Sequence, residues 1–224
     1  MENFKKLLIL IVSSLVLFGL PIVSNFQTEK IEHKVFDNLY NSQKEQKTVD
    51  NKQEQNKTTN YFEGVRIEKL QYKPYKRTDY PHWKEGATLK TVRDEILKRD
   101  GNSVSTKNGK VVSGHWKDFY SGRLIKDKRK IDIDHIFPLN RANNSGAYAW
   151  TTLEKEKFAN DPENLLAVSS EENRQKGAKG PSEWLPSDKS YHKEYAIKYL
   201  NIARKYNLSI TKEDKEALEK ILRP

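Results

Sequence analysis

The chain has 224 residues, 41 Lys plus Arg against 31 Asp plus Glu, a formal net charge of +10 and only 35% hydrophobic residues. That length suits one domain with extensions, long enough to bury a core without covalent staples. The absence of cysteine excludes disulfides, thiol nucleophiles and every thiolate metal site, zinc fingers and iron–sulfur clusters included. The positive balance favours an anionic partner, either nucleic acid or a membrane surface.

Residues 1–24 read as a signal peptide or an N-terminal membrane anchor. Lys5 and Lys6 precede the uncharged run Leu7–Leu20, which resumes at Ile22 and Val23 after Pro21. Lysines before such a run stay on the cytoplasmic side, so the rest of the chain is expected to be extracytoplasmic. It would be secreted, or tethered to the outer face of the inner or plasma membrane if the segment is uncleaved. Ile22 is bulky for a cleavage-site position, so both outcomes stay open. Residues 25–60 read as a polar, largely disordered tether. They hold six lysines and six acids, and Val49 is the only aliphatic residue between Asn41 and Asn60. Such a stretch buries too little to offset its ordering entropy. The first 60 residues carry a net +1, so +9 of the charge lies in residues 61–224.

Residues 61–224 read as a mixed α+β domain with a core at 130–178 and C-terminal helices over 188–222. Thr88 to Lys98 has Leu89, Val92, Ile96 and Leu97 at helical spacing. Asn108-Gly109 predicts a hairpin turn between strands at Ser103–Ser105 and Val111–Trp116. Lys130–Phe137 (KIDIDHIF) alternates as a strand and stops at Pro138, and Asn164–Ser169 is a second short strand. Thr151 with Glu154, and Ser169 with Glu172, have capping-box spacing; they open helices ending near Asn160 and at Gly177. Tyr191, Tyr195, Ile202 and Tyr206 recur at helical spacing. Thr211 and Asp214 open a last helix with Ala217, Leu218 and Ile221 facing inward. Trp116, Trp150 and Trp184 read as core.

The chemistry concentrates in the run of strand, loop, strand and helix. A regular strand would place Asp134 and His135 on opposite faces, so a shared site requires the strand to end or twist there, as Pro138 allows. A carboxylate and an amide oxygen are hard ligands suited to magnesium, and an imidazole beside the ion can deprotonate water. Asn173 sits in the first turn of a capped helix, and Arg174 and Lys176 are placed to hold phosphate oxygens. Lys126–Lys130 has four basic residues in five and reads either as a solvated tip or as a DNA-backbone contact through Arg129 and Lys130.

Asp-His-Ile-x-Pro-Leu from Asp134, Asn-Leu-Leu-Ala-Val from Asn164 and Asn-Arg-x-Lys-Gly from Asn173 together resemble the HNH (ββα-metal, His-Me finger) endonucleases. The likeness is greatest to an exported bacterial branch whose domain also ends GmrSD-type restriction proteins. It extends through Tyr80, His82, Trp83, Gly114–Gly122, Ser145-Gly146, Trp150, Phe158–Pro162 and Trp184–Pro186, and covers about residues 72–186. The resemblance implies a ββα-metal core with flanking helices and an upstream β-hairpin. It implies His135 as general base, Asp134 and Asn173 as ligands of Mg2+ or Mn2+, and Asn164 pinning the inter-strand loop. Lys176 would steady the helix or a phosphate, and Arg93 would reach the active site or DNA. That branch often carries a cysteine near Leu89, and Gly86–Lys90 is less glycine- and acid-rich than its pattern. The implied activity is metal-dependent hydrolysis of DNA with low sequence specificity, since no module that reads base edges is present. Nothing in the pattern separates DNA from RNA. A non-catalytic exported nucleic-acid or cell-surface binding protein is the competing reading.

Overall fold

The computed structural model describes residues 61–82 and 91–223. The expected signal or anchor, the expected tether and residues 83–90, which include Trp83 and the expected helix start at Thr88 and Leu89, lie outside these described residues. In chain order the elements are β1 (Arg66–Ile67), α1 (Val92–Asp100), β2 (Gly101–Lys107), β3 (Lys110–Lys117), β4 (Leu124–Ile125) and β5 (Ile131–His135). There follow α2 (Leu139–Asn144), α3 (Thr152–Ala159), β6 (Leu165–Ser169), α4 (Ser170–Lys176), α5 (His192–Lys205), β7 (Ser209–Ile210) and α6 (Lys212–Leu222). The architecture is α+β, as the patterning predicts.

Local chemistry accounts for most boundaries. Thr91 caps α1 by accepting from the Asp94 N–H, and the helix runs two residues past Lys98. Asn108 (φ 50°) and Gly109 (φ 79°) both occupy the left-handed region, as a two-residue turn matching strand twist requires, and join β2 to β3. Thr151 and Glu154 form a complete reciprocal capping box on α3. Ser169 caps α4, but Glu172 does not close the second half of its box: its carboxylate accepts from Ser187 Oγ at 2.6 Å, a contact made by the fold. Gly177 ends α4 at φ 53°. Thr211 caps α6, whose fully buried line is Asp214, Leu218 and Leu222, so Ala217 and Ile221 sit at its margin. The short α2 and strands β1, β4 and β7 carry no sequence periodicity.

Three small sheets organise the domain: β1 beside β7 in parallel, β2-β3-β4 antiparallel, and β5 beside β6 antiparallel. In the last, Asp132 pairs with Val168, Ile133 with Ala167, Asp134 with Leu166 and His135 with Leu165. Directly paired residues share a face, so the ribbon separates two apolar clusters. Ile131, Ile133, Leu165 and Ala167 pack with Ile96 and Leu97 of α1 and with Trp116. Leu166 and Val168 pack on the other side with Phe137, Tyr195, Tyr199 and Leu200. Asp132 and Asp134 stand on this second face, beside Asn173 and Lys176 of α4. Trp116 is buried in the first cluster, and Trp150 and Trp184 pack against the second, in keeping with their reading as core.

Candidate functional site

β5, β6 and α4 bring Asp134, His135 and Asn173 to one open cleft of about 280 Å³, also lined by Tyr75, Arg77 and Asn140. β5 keeps regular register to its last residue, so Asp134 and His135 do leave it on alternate faces. They share the cleft because the strand stops at His135 and the chain turns through Ile136–Pro138.

Asn164 holds that turn. Its Oδ1 accepts from the Phe137 N–H at 2.8 Å, its Nδ2 donates to the Phe137 carbonyl at 3.2 Å, and its own carbonyl accepts from the Ile136 N–H at 2.8 Å. It is fully buried and does not line the cleft, so it positions the loop, as the resemblance implies, and touches no reacting atom.

His135 Nε2 lies 2.9 Å from the Ala159 carbonyl. A carbonyl only accepts, so Nε2 carries the proton and Nδ1 is the acceptor nitrogen of the neutral ring. Burial pushes the imidazole pKa down to about 3; the Ala159 bond opposes this, and the positive charges of Lys176 and Arg77 add to it.

Asp134 Oδ2 accepts from Tyr120 Oη at 2.7 Å and pairs with Lys176 Nζ at 2.8 Å. Lys176 is fully buried and also donates to the His135 carbonyl at 2.7 Å. Burial pushes its pKa down, against the Asp134 charge. Burial also drives the Tyr120 phenol well above its usual range, with the Asp134 charge adding to it, so Tyr120 stays a donor. Asn173 Nδ2 donates to Asp132 Oδ2 at 3.0 Å, which fixes the amide with Oδ1 as the remaining acceptor.

Two expectations are corrected. Lys176 cannot hold a substrate phosphate, because its ammonium is buried behind the strand and spent on Asp134 and the His135 carbonyl. Arg93 does not line the cleft; its Nη2 donates to the Ile131 carbonyl at 2.8 Å and ties α1 to the start of β5. Arg174 lines an adjoining groove. Arg129 and Lys130 are exposed on a single 3-10 turn away from the cleft, with the Arg129 guanidinium folded onto Asp127.

Sequence patterning gives Tyr120, Asp132, Tyr75 and Arg77 no role. Asp132 carried a readable signal, two residues before Asp134 on one strand face. No spacing rule links Tyr120 to Asp134, which it meets through tertiary packing.

Among the described residues no group of three or more His, Cys, Asp or Glu side chains is placed to hold a metal ion. Two oxygen donors, the Asp134 carboxylate and the Asn173 amide, still suit a hard ion such as Mg2+, which keeps several waters and completes its shell with substrate phosphate. They would not suit zinc.

The domain is α+β, with a histidine, a carboxylate and an amide carried by a strand pair and the helix that follows it. Residues 87–221 match the family described as GmrSD restriction endonucleases, C-terminal domain, and the chain belongs to that family. An uncharacterized secreted protein of Arthroderma benhamiae is 36% identical over 151 residues, covering 66% of this chain and 74% of that protein. The relative is fungal, so the similarity does not restrict the chain to bacteria. No solved structure matches. No helix among the described residues is long and apolar enough to cross a membrane.

Proposed function

We propose that this protein is an exported, metal-dependent endonuclease that hydrolyses phosphodiester bonds of DNA with little sequence preference. The observation that carries the reading is the convergence of His135, Asp134 and Asn173 on one open cleft, with the imidazole locked by the Ala159 carbonyl in the tautomer a general base needs.

His135 Nδ1 accepts a proton from water as the water oxygen attacks phosphorus, and the phosphorus–O3′ bond breaks. Burial keeps the imidazole neutral and able to accept, while the negative charge of an incoming phosphate raises its affinity for that proton. Asp134 and the Asn173 amide oxygen would hold a divalent ion, Mg2+ or Mn2+, which when bound would stabilise negative charge developing at the phosphate and the departing oxygen. Asp132 keeps the Asn173 oxygen turned to its task, and Tyr120 and Lys176 hold the Asp134 carboxylate in place. Arg77, exposed at the rim, meets the phosphate backbone. Arg174, Arg129 and Lys130 are candidate backbone contacts farther out.

Export rests on the apolar N-terminal run of residues 7–23 and the tether behind it, and the secreted relative supports it. Fractionation of expressing cells should find the protein in the medium or on the outer membrane face; a cytoplasmic pool would sink this part.

The activity test is a supercoiled-plasmid assay with the purified protein. Cleavage should vanish in excess chelator and return with Mg2+ or Mn2+, and His135→Ala should abolish it while the far-ultraviolet spectrum is unchanged. Undiminished nicking by pure His135→Ala would overturn the mechanism, and full activity in chelator would overturn the metal assignment. DNA affinity without cleavage under any divalent ion would favour the binding-protein reading instead.

A further inference from the structure

We propose that the segment Lys69–Arg77 (KLQYKPYKR) and the groove it shares with α4 form a track for a single-stranded stretch of nucleic acid entering the candidate cleft. Tyr72 is its stacking platform for an unpaired base. The inference rests on the nuclease reading and adds to it the form of the substrate.

The segment has four basic residues, two tyrosines and no acid. It is held by its main chain to the end of α2. The Gln71 N–H donates to the Asn144 carbonyl at 2.8 Å, the Lys73 N–H to Asn144 Oδ1 at 3.2 Å, and Asn143 Nδ2 to the Lys73 carbonyl at 3.3 Å. Anchoring through the backbone leaves the side chains to solvent. Tyr72 is 84% exposed, more than any other large hydrophobic side chain among the described residues, so core packing does not account for it.

Tyr72 lines a groove of about 310 Å³ whose opposite side carries the exposed cations Arg174 and Lys179. Its one lining carboxylate, Glu183, is already engaged by Arg141 and the Gly180 N–H. This groove and the candidate cleft share Asn140, Gly177 and Ala178, and the same segment supplies Tyr75 and Arg77 to the cleft. One extended strap therefore walls both cavities, with cations for phosphates along it and an uncovered ring beside the path. An unpaired strand offers each base as a π-face, whereas duplex bases already stack on one another. Base–aromatic stacking contributes about 1–3 kcal/mol per base, roughly 5- to 150-fold in affinity.

Binding is measured by fluorescence anisotropy with the full-length protein in chelator, on a labelled single-stranded 12-mer of mixed sequence and on a hairpin-closed duplex of equal charge. The unchanged protein should prefer the single strand. Tyr72→Ala should weaken single-strand binding by about 5- to 150-fold and duplex binding less than about 2-fold, and Tyr72→Trp should restore it. Arg174→Ala should weaken both and flatten the single-strand salt dependence by about 0.7 per lost contact. An equal effect of Tyr72→Ala on both probes, no effect on either, no binding by the unchanged protein, or a preference for duplex would each overturn the track. The readout needs neither metal nor cleavage, so failure to cut both supercoiled plasmid and single-stranded DNA would sink the nuclease reading and leave this measurement standing. A cutting enzyme indifferent to Tyr72→Ala would sink the track alone.

Discussion

Replacing Lys176 by methionine removes a buried charge while keeping most of the stem that fills its site. In the native domain the ammonium lies 2.8 Å from Asp134 Oδ2, with side-chain exposures of 0% and 7%. Coulomb attraction at that distance is about 6 kcal/mol for an effective dielectric near 20, most of it spent on taking the two charges out of water. Deleting one partner leaves the desolvation of the other uncompensated. Asp134 would retain the Tyr120 bond alone, and the His135 carbonyl would lose its donor. The expected loss is about 3–5 kcal/mol, a large part of the ~5–15 kcal/mol that holds a typical domain together. For a domain of this size that is a fall in Tm of about 6–20 °C. Urea and thermal unfolding in chelator would measure it. Adding Asp134→Asn to Lys176→Met should recover part of the loss, because an amide leaves no orphaned charge. A single-variant loss under about 1 kcal/mol, the size of a solvated surface pair, would refute the reasoning, as would a double variant less stable than the single.

Asn164→Ala leaves the Phe137 N–H and carbonyl buried without partners, so it should cost about 2–4 kcal/mol by urea unfolding. Cleavage by the folded fraction should fall as well, since the turn carrying the chain out of His135 is loosened. Gly109→Ala forces an alanine to φ 79° and should cost about 1–2 kcal/mol with plasmid cleavage unchanged, because the hairpin tip is remote from the cleft. The His135 pKa is depressed on folding to about 3, so the unfolded chain binds the proton first as pH falls. Its contribution to stability is full above about pH 6.5 and is lost between there and pH 3. Metal-free protein should show this as a falling Tm, and His135→Gln should show a shallower fall over the same range.

The legibility of the site differed from residue to residue for physical reasons. Asp134, His135 and Asn173 stood out as candidates because each sits at a fixed place in a short local pattern: the end of an alternating strand, or the first turn of a capped helix. Asn164 was expected to pin the loop because the resemblance implies it, and it makes three hydrogen bonds to Ile136 and Phe137. Which of its two expected roles Lys176 takes, steadying the helix or holding a phosphate, was not decidable from its spacing, which shows the side of α4 it occupies but not whether solvent reaches that side. Its burial depends on Tyr120 and Asp134 arriving from other elements. Arg93 was undecidable for a similar reason: its guanidinium donates to a strand carbonyl 38 residues away.

Local chemistry in the chain itself was enough for the hairpin turn at Asn108-Gly109, the caps at Thr151, Ser169 and Thr211, the two strands with their following helix, and the +9 of charge in residues 61–224. These depend on neighbours within a few residues, where backbone preference and side-chain reach dominate. Tertiary structure alone decided what surrounds Asp134, which cations are buried and which reach solvent, and that the strap at Lys69–Arg77 runs along the cleft. Those outcomes depend on burial and on contacts between distant segments, and hydrophobic packing acts on surfaces that exist only once the elements have come together.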